Sequence, residues 1–157
     1  MSTLKQLRLE NNATQQTCAN LLKISLRSYK DYENNVNKSN TAKYNYLCDM
    51  LAKHFELTET NGVLSKEQIV KICNPIFKQY KIDYCYLFGS YAKNKAKEDS
   101  DVDLLISSNC NGLKFYELTE VLREKLHKRV DLLDMSQLTN NKDLLNEILK
   151  SGVKIYG

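Results

Sequence analysis

The chain has 157 residues, 42% apolar and 27% charged, with a net charge of +4, ten Tyr, four Phe and no Trp. That length holds one domain or two small ones, and no stretch approaches the ~20 apolar residues needed to cross a bilayer, which excludes a helical membrane protein. The opening MSTLKQLRLENN lacks the apolar core and cleavage site of a secretion signal, so a cytoplasmic protein is expected.

Residues 1–56 read as helices with no strand. A first helix over about 2–11 packs Leu4 and Leu7, with Arg8 beside them, and ends at Asn11-Asn12. Thr14 caps a second, TQQTCANLLK, whose Cys18, Ala19, Leu21 and Leu22 share a face. Ser25 caps a third, SLRSYKDYENN, with Leu26, Tyr29 and Tyr32 inward. A polar loop over 34–40 leads to a helix or helix pair over 41–55, presenting Tyr44, Leu47, Cys48, Leu51 and Ala52 on one side. Two short helices joined by a tight turn fit a helix-turn-helix. The outer face of the third carries Ser25, Arg27, Ser28 and Lys30, with Gln15 and Gln16 in the first turn of the second. Such side chains either read bases and grip phosphates or merely solvate a small bundle.

Residues 57–64 form a short polar junction with an Asn61-Gly62 turn signal. From Ser65 the pattern becomes mixed. Ser65 caps a helix, SKEQIVKICNPIFKQY, with Ile69, Ile72, Cys73, Ile76 and Phe77 inward, and Pro75 should kink it or start a new turn. YCYLFGS is a buried strand, SDVDLLISS a second, LKFYELTEVLREKLH a helix, RVDLLDM a third strand, NKDLLNEILK a last helix, and VKIYG a terminal strand or tail. The fold class is α+β: an all-helical domain over 1–56, a linker over 57–64, and a domain over 65–157 with a mixed sheet backed by helices. Cys18, Cys48, Cys73, Cys85 and Cys110 stand at least twelve residues apart, so they lack zinc spacing and read as reduced thiols.

The chemistry concentrates in LFGSYAKNKAKEDSDVDLLI. Gly89 and Ser90 stand where a strand turns into a short helix, where backbone N–H groups can cradle phosphate oxygens. Ten residues later come Asp101 and Asp103, which as i and i+2 of a strand face one side, with Val102 toward the core. Two carboxylates on one face repel unless a cation neutralises them, and hard oxygen donors suit Mg²⁺ or Mn²⁺. Asp131 opens the next apolar strand and is expected level with Asp101; Asp134 has the opposite parity, and Asp83 lies at the far end of its strand from Gly89. Lys93, Lys95 and Lys97 give the intervening loop a positive cast, with Lys93 able to steady a phosphate or simply to be solvated.

Two resemblances extend this reading. The segment LKQLRLENNATQQTCANLLKISLRSYKDYENN resembles the helix-turn-helix of phage repressor (XRE/Cro) type at Leu4, Arg8, Thr14-Gln15, Ala19, Leu22, Ile24-Ser25, Tyr29 and Glu33. It departs at Lys23, where a turn Gly is usual, and at Cys18, where Leu is common. The segment GSYAKNKAKEDSDVDLL is similar to the G-S-x(10)-D-x-D signature of the DNA polymerase beta-like nucleotidyltransferases, and more narrowly to their minimal branch, the antitoxins paired with HEPN-domain RNase toxins. Asn94 stands where that family has Gly, which a left-handed backbone tolerates.

The second resemblance implies that Gly89 and Ser90 contact the triphosphate of ATP, that Asp101 and Asp103 bind Mg²⁺ or Mn²⁺, and that Asp131 completes the catalytic triad. It also implies AMP transfer to a tyrosine of a cognate HEPN toxin. The first implies operator DNA bound as a homo-oligomer or as a toxin–antitoxin complex. A repressor with a nucleotide-sensing domain and a nucleotidyltransferase acting on an antibiotic are the alternatives.

Overall fold

The computed structural model describes residues 2–157, which divide into two compact units at the junction of Glu56 and Leu57. In the first, helices α1 (Leu4–Glu10), α2 (Gln15–Leu21), α3 (Leu26–Asn34) and α4 (Ala42–Phe55) follow one another, with a 3-10 turn at Val36–Lys38. Each helix begins at a hydroxyl: Thr3, Thr14, Ser25 and Thr41 accept from the backbone N–H three residues on. Each such cap contributes about 1 kcal/mol. That matters in helices as short as seven residues, which are marginal alone.

Leu4, Leu7, Cys18, Ala19, Tyr29, Tyr44, Leu47, Cys48 and Leu51 form the core of this unit. The two buried tyrosines keep their hydroxyls paired: Tyr29 donates to the Leu4 carbonyl and the Leu4 N–H donates to Tyr44, both at 3.3 Å. Ala52, expected inward, is exposed; it lies one position past Leu51, beyond the edge of the apolar stripe. The 41–55 segment is one helix. Glu33, whose side chain is 1% exposed, pairs with Arg8 at 2.8 Å and accepts from the Gln15 amide.

The second unit runs α5 (Lys66–Gln79), β1 (Tyr84–Phe88), α6 (Gly89–Ala92), β2 (Val102–Ser107), α7 (Leu113–Leu126), β3 (Val130–Asp134), a 3-10 turn at Met135–Leu138, α8 (Lys142–Ser151) and β4 (Val153–Tyr156). The sheet order is β3-β2-β1-β4. β1 pairs antiparallel with both β2 and β4, while β2 and β3 run parallel. The parallel step needs a crossover, which α7 supplies.

Strand alternation sorts the faces. Cys85, Leu87, Val102, Leu104, Ile106 and Leu132 meet Ile69, Cys73 and Phe77 of α5 and Leu118, Leu122 and Leu126 of α7 in the main core. On the other face Phe88 and Leu105 meet Leu138 and Ile148 in a smaller cluster. Asp103 and Asp131 share parity with Leu105 and Leu133, so they belong to the α8 face.

Pro75 starts no new turn: α5 is one helix over Lys66–Gln79 with Pro75 inside. Pro75 is exposed, so water can serve the carbonyl its missing N–H would have bonded. The cost of about 3 kcal/mol is offset by burial of Ile69, Cys73, Ile76 and Phe77. Residues 57–64, a linker by composition, pack onto the second unit, with Leu64 5% exposed and Leu57 against the main core. Among the described residues no helix is long and apolar enough to cross a membrane. All five cysteines are free thiols, and all but Cys110 are buried.

Candidate active site

The site begins where β1 ends. Phe88 lies across from Asp103 in the antiparallel ladder, and the chain turns at once into α6. Gly89 has φ +68°, and a Cβ there would stand 2.1 Å from an Asp103 carboxylate oxygen. Only glycine permits both the backbone conformation and that approach. Phe88 offers no side chain to cap α6, so the first N–H groups of the turn remain available to an anion. The turn closes through Lys93 N–H to Gly89 O at 3.2 Å and Lys95 N–H to Ser90 O at 2.9 Å. Asn94 takes the left-handed conformation, φ 57°, as its substitution for Gly requires.

Asp131 is opposite Asp103, not level with Asp101 as expected from the strand's start. The parallel register pairs Val102 with Val130 and Asp103 with Asp131. Residues in register on neighbouring strands point to the same face, so these two carboxylates are direct neighbours. Burial pushes the Asp103 carboxyl up to about 6, helped by the charges of Asp131, Asp101 and Glu147. Asp101, two residues earlier, is exposed and paired with Arg129 at 3.1 Å. Asp134 is spent elsewhere, capping the following 3-10 turn and accepting from Ser108. Asp83 is exposed at the far end of β1.

The donor set suits a hard divalent cation. A half-buried carboxylate hemmed in by three others favours the presence of a positive charge. As placed, no three His, Cys, Asp or Glu side chains among the described residues make a ready metal-holding group. That fits magnesium, which usually takes one or two carboxylates and fills its remaining positions with water and substrate phosphates.

Several participants were not visible in sequence. Lys93 is there, but its ammonium is held by Glu147 of α8 at 2.6 Å. Glu147 thus joins the site from 44 positions beyond Asp103, with no local motif to signal it. Cavities beside α8 (about 320 Å³, lined by Tyr84, Tyr86 and Leu105) and beside Tyr91 (about 300 Å³) do not include the three aspartates. Asp101 and Asp131 face solvent, leaving the carboxylates on an open surface.

In the first unit, α2 and α3 are joined through residues 22–25, with Lys23 at φ 55°, a left-handed conformation that glycine adopts more freely. Arg27 and Lys30 are exposed. Ser25 and Ser28 bond each other at the start of α3, Gln16 bonds Asn20 at 2.9 Å, and Gln15 is engaged by Glu33.

A sequence profile of the family described as "Polymerase beta, Nucleotidyltransferase" matches residues 67–157. The protein adenylyltransferase MntA of Thermococcus cleftensis is 45% identical over 67 residues, 40% of this chain and 68% of that one. The protein adenylyltransferase MntA of Shewanella oneidensis is 26% identical over 96 residues, 60% of this chain and 66% of that one. A solved complex of tri-AMPylated Shewanella oneidensis HEPN toxin with MNT antitoxin is 21% identical over 59% of this chain and 72% of that one, with a TM-score of 0.46, too loose a likeness to bear on the site.

Proposed function

Because this chain belongs to the polymerase beta nucleotidyltransferase family, and is therefore a nucleotidyltransferase, we propose that it moves AMP from ATP onto a tyrosine hydroxyl of a cognate HEPN-domain RNase toxin and so silences it. The observation that carries the reading is the in-register pair Asp103 and Asp131 with Gly89 pressed against Asp103. This is a carboxylate cluster beside a phosphate-cradling turn. Relatives named protein adenylyltransferase support a protein acceptor, and so does the open setting of the aspartates, which a large partner can approach.

In this reading the N–H groups after Gly89 and the Ser90 hydroxyl grip the triphosphate, and Lys93 exchanges Glu147 for a phosphate oxygen. Asp101, Asp103 and Asp131 hold the divalent cation, Mg²⁺ or Mn²⁺. When bound, the cation neutralises the carboxylates and the charge growing on the leaving group. The tyrosine oxygen bonds to the α-phosphorus as the bond to the bridging oxygen breaks. Pyrophosphate leaves, and the phenolic proton passes to Asp131. The transferred phosphate adds negative charge where RNA must bind, which repels it.

Residues 1–56 serve, in the same proposal, as a helix-turn-helix on the operator of the protein's own operon, in an oligomer or a toxin–antitoxin complex. The short connection between α2 and α3 supports this, as do the exposed Arg27 and Lys30 of α3. Gln15, Ser25 and Ser28, already bonded within the unit, are left with smaller parts.

The test is intact-mass measurement of a HEPN partner co-expressed with this chain. The partner should gain one or more AMP groups with wild type and none with Asp101→Ala or Asp103→Ala. A partner unmodified by wild type while its RNase activity is still blocked would replace transfer with simple steric inhibition.

A further inference from the structure

Lys128 is fully buried, an uncommon position for an ammonium group. Among the described residues no carboxylate forms an ion pair with it. Its Nζ donates instead to three backbone carbonyls: Thr58 and Glu98 at 2.6 Å and Asn61 at 3.2 Å. Three donors meet three acceptors, so the group is saturated. Lys128 therefore acts through geometry, gathering three stretches of chain around one atom.

Two of those stretches lead to the site. Lys128 stands three residues before Asp131, and the Glu98 carbonyl it holds stands three residues before Asp101. From that anchor the two strands descend in step. Arg129 pairs with Asp101 at 3.1 Å, Val102 N–H donates to the Arg129 carbonyl at 2.9 Å, and the parallel ladder then sets Val102 against Val130 and Asp103 against Asp131. The third stretch is the 58–61 turn, which closes on itself through Thr58 N–H to Asn61 O at 2.9 Å. The turn's Thr58 and Asn61 carbonyls supply the other two acceptors of the ammonium. The loop between Ser90 and Asp101 is otherwise exposed at Lys93, Asn94, Lys95, Lys97, Glu98 and Asp99. A fixed point at Glu98 thus converts a surface loop into a defined approach to Asp101.

We infer that Lys128 is a positioning residue for the cation site, holding the segment before Asp101 against the strand that carries Asp131 without touching cation or substrate. This rests on the reading of Asp101, Asp103 and Asp131 as that site, and it adds a residue which the motif does not contain. Groups that orient metal ligands from behind typically change metal affinity 10- to 100-fold when removed.

The experiment reads Mn²⁺ binding to the full chain by electron paramagnetic resonance of free Mn²⁺, with no nucleotide or acceptor present. Lys128→Met keeps the length of the side chain and removes its three donors. It should stay folded by circular dichroism and bind Mn²⁺ at least about tenfold more weakly than wild type. Lys128→Ala leaves room for n-propylammonium, which should restore Mn²⁺ affinity severalfold, whereas n-propanol should not. Wild-type Mn²⁺ affinity in a folded Lys128→Met chain overturns the inference. So does a Lys128→Ala chain that refolds with the amine yet stays weak for Mn²⁺, or a chain that collapses in both variants with or without the amine, since Lys128 is then only a folding residue. A wild type that binds no Mn²⁺ overturns it as well. A wild type that binds Mn²⁺, loses it on Lys128→Met and labels no partner leaves this inference standing while the transfer proposal fails.

Discussion

Replacing Gly89 with alanine separates what the turn does for stability from what it does for chemistry. The added Cβ would lie 2.1 Å from an Asp103 carboxylate oxygen and 3.0 Å from its carbon, at a backbone φ of +68°. The nearest backbone or core atom is not what it meets; it meets the end of one short side chain. Asp103 can therefore swing away, and the stability cost is mainly that of an L-residue in left-handed conformation, about 1–2 kcal/mol. For a unit of about 100 residues that lowers Tm by about 4–8 °C per kcal/mol. The chemical cost is larger. Displacing the carboxylate by about 1 Å from Asp131 and from the phosphate turn should lower kcat roughly 100-fold. The assay is pyrophosphate release with a saturating acceptor, alongside a thermal melt of the same preparation. A Gly89→Ala protein that melts a few degrees lower but turns over within twofold of wild type refutes the link between this glycine and Asp103. A protein that fails to fold refutes the claim that Asp103 can yield.

Asp103→Asn should raise stability at pH 7 by roughly 1–2 kcal/mol, allowing for solvent screening of the two-unit shift, while abolishing transfer; urea midpoints measure it. The sign follows from the carboxyl being held near 6 in the folded chain against 3.8 for the ordinary group. The native state binds the extra proton, so wild-type stability falls as pH rises from about 4 to about 6, and the variant should lack that slope. Lys23→Gly, at φ 55°, should stabilise the first unit by about 0.5–1 kcal/mol in a thermal melt, because glycine's gain at a left-handed position exceeds its extra unfolded-state entropy. Glu33→Ala, which strips the partner from Arg8 and from the Gln15 amide, should cost about 3 kcal/mol in urea unfolding of that unit; a cost under 1 kcal/mol would make the pair a surface ornament.

The legible part of the site was the part encoded within a few residues. Gly89-Ser90 ends a dense apolar strand, and the i, i+2 spacing of Asp101 and Asp103 gives them a common side where the backbone is extended, although β2 itself begins only at Val102. Asn94 could be read as left-handed because it replaces a glycine in a known turn. Register was not legible: which residue of β2 faces Asp131 depends on how the α7 crossover sets the strands, and Asp103 rather than Asp101 proved to be the rung beside Asp131. Long-range partners were equally silent. Glu147 reaches the site from α8, and Arg129 and Lys128 sit in a polar HKR triplet that looks like solvated surface. A buried lysine cannot be told from an exposed one until three carbonyls are seen to converge on it. In the first unit the caps at Thr14 and Ser25 announced α2 and α3, but those at Thr3 and Thr41 were not read, and Ala52 lay one position too far round α4 to be buried.

The central claim is that the three aspartates and the Gly89 turn carry AMP, and no other part of ATP, to a protein. The direct measurement incubates the chain, its HEPN partner and Mg²⁺ with ATP labelled either at the α-phosphate or at the γ-phosphate, then follows the label into protein. The account predicts partner labelled from the α-phosphate alone, γ-label released as pyrophosphate, and neither event with Asp103→Asn. Label entering protein from the γ-phosphate, or α-label transfer that survives Asp103→Asn, contradicts it.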